Sequence, residues 1–304
     1  MPTGIVLFPN RQADNHVDDA IAQARRAHAA GVRQIWLAQQ FDHDAIGLAG
    51  LIGAAVPGLG VGTAAVPLNP RHPLVIAGQA QTAQAAAHGT FSLGIALGSH
   101  KPEQDAFGTS WPRPVARLRE YLQVLRSILD DGTVDFHGAE FTAAPEWPVS
   151  VAGGTPVPLY VAAMGPKALQ VTGELADGTL PYLAGPRTIG DFIVPTITAA
   201  AAAAGRPDPA TIAFVPALVT DDVAAGRELA AQTLEFYAAI PSYQRVIERE
   251  GLDSLADLAA VGDAETVLKH LRRHLDAGAT DVAISPLDHS QPALSLLWEV
   301  TAAL

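Results

Sequence analysis

Short apolar runs alternate with longer amphipathic ones along most of this chain. Thr3 to Phe8 reads as a first strand closed by Pro9-Asn10, and Asp14 to Ala30 as a helix with apolar positions at Val17, Ile21, Ala24 and Ala27, stopped by Gly31. Arg33 to Ala38 is a second strand, the polar loop Gln39 to Asp44 follows, and a short helix covers Ala45 to Ala55. Gly60 to Val66 is small and β-branched, as a strand buried on both faces should be. Pro67 to Pro70 breaks it, and Ala-rich Pro73 to His88 forms the next helix, with Pro73 in the first turn and Gly89 as its stop. Phe91 to Leu97 is the fourth strand.

The alternation pauses there. His100 to Pro114 reads as a long irregular loop, Val115 to Asp130 as a helix with Leu118, Tyr121, Leu122, Leu125 and Leu129 on one face, and Val134 to Thr142 as a hairpin. We read residues 99–155 as an insertion lying over the strand ends. Strands then recur at Val157 to Ala163, Gly178 to Tyr182, Ile212 to Val219 and Asp281 to Ser285. Helices follow at Pro166 to Ala176, Arg187 to Ala204, Val223 to Ala239, Ala264 to Ala277 and Pro292 to Ala302. Eight strands alternating with helices predict an α/β fold, a (β/α)8 TIM barrel forming one domain over 1–304, with a doubly wound sheet as the alternative.

Composition narrows the partners. A formal net charge of −12 and a pI near 5.2 argue against nucleic acid or an anionic membrane. The chain has no cysteine, which removes thiolate chemistry and disulfides. The N-terminal residues lack the pattern of a signal peptide and no apolar run is long enough to span a bilayer, so a cytoplasmic protein acting on a small molecule is expected.

In a barrel, chemistry belongs to the loops after the strands, here Gln39–Asp44, Pro67–His72, Gly98–Lys101, Met164–Lys167, Ala184–Arg187 and Pro286–His289. Two of the three lysines, Lys101 and Lys167, fall in them, which suits a small anionic ligand. In Ala163-Met164-Gly165-Pro166-Lys167 a strand turns into a helix start whose free amides and lysine would attract phosphate; a tight turn needing glycine explains it as well. Gly58, Gly60 and Gly62 precede a strand instead of following one, which excludes a dinucleotide turn. His270 and His274 sit one helical turn apart without a third ligand, so no metal site is expected. His43, His72 and His100 fall in active-face loops and make a candidate acid–base set. Neither a GxSxG elbow nor a carboxylate pair stands out, against hydrolase chemistry.

Four segments, VGTAAVPLNPRHPLVIAGQAQT, FSLGIALGSH, RPVARLREYLQVLRSILDDGTVDFHGAEF and PLYVAAMGPKALQVTGELADGTL, resemble in their order the bacterial luciferase-like superfamily, and within it the coenzyme F420-dependent oxidoreductases. That resemblance implies a bulge with a cis peptide at Ala64–Ala65 backing the cofactor ring, with Thr63, Ala64 and Ala65 small enough for its approach. Leu97, Gly98 and Ser99 would line the ring edge or ribityl chain, and Ala163 to Lys167 would hold the phosphate. Several F420-dependent enzymes of that superfamily carry a histidine at the end of the second strand, where this chain has Gln39-Gln40. Gln40 can bond a cofactor without serving as an acid, which leaves His43 or His100 to move protons. Trp111, Phe107 and Trp147 could roof the substrate space, and Lys101 and Arg187 favour the longer anionic tail of F420 over FMN. The resemblance implies hydride transfer from the deazaflavin C5 to a small organic acceptor, with a homodimer common among relatives. An FMN-dependent monooxygenase of the same fold and a cofactor-free barrel are the alternatives.

Overall fold

The structure, a computed structural model, describes residues 3–98, 100–108 and 111–304, the side chains of 100–103 excepted. Strands β1 (Gly4–Val6), β2 (Gln34–Leu37), β3 (Gly60–Thr63), β4 (Val66–Pro67), β5 (Phe91–Ala96), β8 (Leu159–Ala162), β9 (Gly178–Thr179), β10 (Ala210–Val219) and β12 (Asp281–Pro286) pair in parallel, and β10 pairs with both β9 and β12, closing an eight-stranded barrel in which β3 and β4 form one interrupted strand. Between them β6 (Phe136–His137) and β7 (Thr142–Ala143) make a separate antiparallel hairpin.

Period-2 alternation explains both faces of the barrel. Ile5, Ile35, Leu37, Val61, Leu93, Ile95, Leu159 and Val161 point outward and are buried against the helices. The other parity fills the interior, where Trp36 packs edge-on against Phe214 at 5.6 Å and Tyr160 at 6.2 Å between ring centroids. Small residues make room for this plug: a Cβ on Gly62 would lie 2.6 Å from the Trp36 ring, and one on Gly4 the same distance from its Nε1.

The outer ring comprises α1 (His16–Ala29), α2 (Ala45–Ala55), α3 (Pro73–Ala86), α5 (Pro114–Asp131), α6 (Pro166–Leu175), α8 (Val194–Ala203), α11 (Ala264–Asp276) and α12 (Gln291–Ala303). Three features depart from the sequence reading. The loop expected over 100–114 contains a helix, α4 (His100–Phe107). Helix α5 packs between α3 and α6, in the ring itself. A ninth short parallel strand, β11 (Ala260–Gly262), adds to the C-terminal half of β10, beyond the point where β9 has ended. Helix α7 (Pro186–Thr188) runs through a π-helical turn at Ile189–Ile193 into α8. Helices α9 (Val223–Ala238) and α10 (Pro241–Glu250) form their own apolar cluster with Leu183, Leu218 and Leu287.

Candidate functional site

The interrupted third strand shapes the site. Gly62 pairs with Ser92 and Val66 with Ile95, so four steps on one strand oppose three on its neighbour. That one-residue excess is a bulge, and it falls at Ala64–Ala65, joined by a cis peptide bond. Thr63 anchors the strand before the bulge: its Oγ1 donates to the Gly94 carbonyl at 2.8 Å and accepts from the Gly94 amide at 2.9 Å. Gly94 permits this approach, because a Cβ there would lie 2.0 Å from the Thr63 carbonyl oxygen.

Above the Trp36 plug the inward-facing parity reaches the strand ends as four alanines on four adjacent strands: Ala38, Ala64, Ala96 and Ala162. With Ala65 and Gln40 they line one side of a central cavity of about 330 Å³, faced by Phe8, Leu180, Tyr182, Phe214 and Ser285. Among the described residues no side chain that is charged at neutral pH lines it. Its outer wall is aromatic: Tyr237 packs edge-on against Tyr182 at 5.2 Å and against Tyr243 at 5.3 Å. Burial raises the pKa of all three phenols, so each stays neutral at physiological pH.

The cavity opens in two directions. Toward β5 and β8 a lobe of about 590 Å³ is lined by Leu97, Gly98, Met164, Gly165, Pro166 and Lys167, and across it by Phe236, Ser242 and Arg245. Helix α6 starts here at Gly165 without a side-chain cap, so the first-turn amides of Lys167 and Ala168 carry no intrahelical acceptor. The second opening, toward β1, β2 and β12, is a cleft of about 740 Å³ that includes Arg11, Gln40, Asp42, His43 and His289 and shares Phe8, Ala38 and Gln40 with the cavity.

Several expected site residues therefore come together and others do not. Gln40, Ala64 and Ala65 border the central cavity, Leu97, Gly98, Met164, Gly165, Pro166 and Lys167 the lobe toward β5 and β8, and His43 the cleft. Thr63 and Ala163 are fully buried on the other parity, facing away from both spaces. Ser99 and the side chains of His100 and Lys101 lie outside the described residues. His72 is the N-cap of α3, its Nδ1 accepting from the Leu74 amide at 3.2 Å. Arg187 donates to the Arg249 carbonyl instead of facing the lobe, where Arg245 stands. Trp147 is 81% exposed, Phe107 packs on Phe41, and Trp111 lies beside Arg117, so the aromatic wall comes from α9 and α10 and not from residues 107–147. His270 and His274 are a packed pair, and no group of three or more metal-binding side chains occurs among the described residues. No helix among them is long and apolar enough to cross a membrane.

Comparison with known proteins agrees with this geometry. The chain is 27% identical over 243 residues, 79% of its length and 73% of the relative's, to a 5,10-methylenetetrahydromethanopterin reductase from Methanolobus tindarius. Its fold superimposes on the coenzyme F420-dependent tetrahydromethanopterin reductase of Methanopyrus kandleri with a TM-score of 0.82 at 21% identity, covering 99% of this chain and 97% of that one. An F420-dependent secondary alcohol dehydrogenase in complex with an F420-acetone adduct gives a TM-score of 0.82 at 22% identity, covering 99% and 98%. Residues 1–281 match the family model of the luciferase-like monooxygenases, and the chain belongs to that family.

Proposed function

We propose that this protein is an F420-dependent oxidoreductase that transfers hydride between the deazaflavin and a small, uncharged organic substrate. The observation that carries the reading is the continuity of the alanine-lined cavity with the uncapped start of α6. A flat ring needs a surface without protruding side chains, which Ala38, Ala64, Ala65, Ala96 and Ala162 provide. A phosphate further along the cofactor needs free amides and a cation, which the Lys167 and Ala168 amides and the Lys167 side chain provide. The lobe continues past Lys167 to Arg245 on α10, a second cation suited to the carboxylates of a longer tail. The F420-dependent enzymes that share this fold support the same cofactor.

Bound there, the deazaflavin supplies a two-electron hydride from C5. The chain contributes position and environment. Ala64 and Ala65 back the ring, Tyr182, Tyr237 and Tyr243 exclude water from the reacting face, and Gln40 offers an amide at the junction of cavity and cleft. Among the described residues, Gln40 is shared by the cavity and the cleft, and His43 lines the cleft.

Titration with oxidised F420 and with FMN, followed by quenching of their fluorescence, tests the proposal. Micromolar F420 binding with much weaker FMN binding is the expected result. Preference for FMN would replace hydride transfer with flavin-dependent oxygenation, and binding of neither would remove both.

A further inference from the structure

Two neighbouring glutamines follow β2, and they face opposite ways, as successive residues of an extended chain do. Gln40 borders both the central cavity and the cleft, whereas Gln39 borders neither. The Gln40 side-chain amide makes no hydrogen bond to any described residue, so it is free to meet a ligand. The Gln39 side chain is fully engaged instead. An amide offers two N–H donors and an oxygen that accepts twice, and all four capacities are used. Its Nε2 donates to the Gln40 and His43 carbonyls, and its Oε1 accepts from the Ala45 amide at 3.2 Å and from Arg71 Nη2 at 3.1 Å.

Those partners lie at both ends of the segment from Gln40 to Ala45, so one side chain closes the loop between β2 and α2 on itself. The main chain ties the same residue to the bulge: the Gln39 amide donates to the Ala65 carbonyl at 3.4 Å, and the Ala64 amide to the Leu37 carbonyl at 2.8 Å. Arg71, from the loop after β4, makes a third attachment by also reaching Asp44 Oδ1 at 3.3 Å, and Asp44 caps α2 through the Gly47 amide at 3.2 Å. Glutamate at position 39 would face two carbonyls with an acceptor-only carboxylate, and methionine of similar length would bond none of the four groups.

We propose that Gln39 is a positioning residue of this site: by closing the loop and pinning the Gln40 carbonyl, it holds the Gln40 amide against the polar edge of the ring bound on Ala64 and Ala65. The inference rests on the cofactor reading above. A side-chain amide carries a donor and an acceptor side by side, as does the pyrimidinedione edge of a deazaflavin, with its N–H beside a C=O. Glutamine loses much rotamer freedom on binding, so its contact gains affinity when the main chain beneath it is already fixed. Gln39 supplies that fixed main chain, and its link to Ala65 keeps the amide in register with the surface that backs the ring.

Amide hydrogen exchange without cofactor reads the loop, and F420 titration reads its consequence. Ala45 opens α2, so its amide has no acceptor within the helix and its protection reports the bond to Gln39. In Gln39→Met, exchange at Ala45 is expected to quicken at least about tenfold, and F420 affinity to fall at least about tenfold. Gln40→Ala is expected to lose similar affinity with exchange at Ala45 unchanged. The double variant is expected to bind F420 within about twofold of the weaker single variant, because Gln39 acts through Gln40. Losses that multiply in the double variant overturn the proposal, as does undiminished affinity in either single variant. Unchanged exchange at Ala45 in Gln39→Met overturns it even if F420 binds. Wild-type protein with the expected exchange and no F420 binding overturns the cofactor reading, and the positioning with it. Should Gln39→Met not fold, Gln39→Glu takes its place: it keeps an acceptor for Ala45 and Arg71, and retained F420 affinity in it overturns the proposal.

Discussion

Trp36 occupies the barrel interior because Gly4 and Gly62 face it without side chains, and the alanines above it then leave an open basin. Gly62→Ala puts a methyl into the indole, and overpacking of that kind costs about 1–3 kcal/mol, a loss that a urea melt will read. Ala96→Leu acts one layer higher, where the space is empty, so its thermal midpoint is expected to hold while F420 affinity falls at least about tenfold, a loss of about 1.4 kcal/mol; retained affinity would move the ring elsewhere. The small residues at Ala64 and Ala65 were legible in the sequence, and the bulge there was implied by the family resemblance. Their grouping with Thr63 was misleading, since successive strand residues face opposite ways and Thr63 turns to Gly94. The run Ala38, Ala64, Ala96, Ala162 was readable only once barrel closure decided which parity points inward.

Among elements, the least legible stretch was the one after the fourth strand. Helix α5 has the amphipathic pattern of any ring helix, and nothing local told whether its apolar face meets α3 and α6 or roofs the strand ends. A polar residue after the next helix records the answer. Asp177 accepts from Arg126 of α5 at 3.2 and 2.9 Å, from Arg206 after α8 at 2.9 Å and from the Leu159 amide at 2.8 Å, joining two ring helices to the start of β8. Asp177→Ala removes these acceptors, leaving Arg206 the Ala176 carbonyl at 3.3 Å and Arg126 only Asp130 at 3.6 Å, with Arg126 already having a buried Nε without a partner, and the expected cost is about 1–2 kcal/mol in denaturant unfolding. A negligible change would show that α5 is held by its apolar face alone. Strand β11 escaped because three residues, Ala260 to Gly262, carry no periodicity, and the aromatic wall escaped because Tyr237 and Tyr243 meet Tyr182 only in the folded chain.

For the whole molecule, two buried groups set opposing dependences of stability on pH. His274 is almost fully buried, and desolvation with the neighbouring His270 lowers its pKa to about 4, well under its value in an unfolded chain. The unfolded state therefore binds more protons between about pH 6.5 and 4, and this group removes stability as pH falls through that window. Asp281, at the start of β12, behaves in reverse: burial raises its carboxyl to about 6, so the folded state holds the extra proton and stability is lost as pH rises from about 3.8 to 6. Its Oδ1 accepts from the Val282 amide at 2.8 Å, a bond that an asparagine oxygen can keep. Asp281→Asn is thus expected to match the wild type near pH 4 and to exceed it above pH 6 by on the order of 2 kcal/mol. Between those limits the variant's stability should rise with pH more steeply than the wild type's, because the His274 dependence is no longer offset. Urea melts at intervals from pH 4 to 8 separate the outcomes: a gain that is constant with pH would trace to packing, whereas a gain that grows through this window and then levels assigns it to ionisation of Asp281.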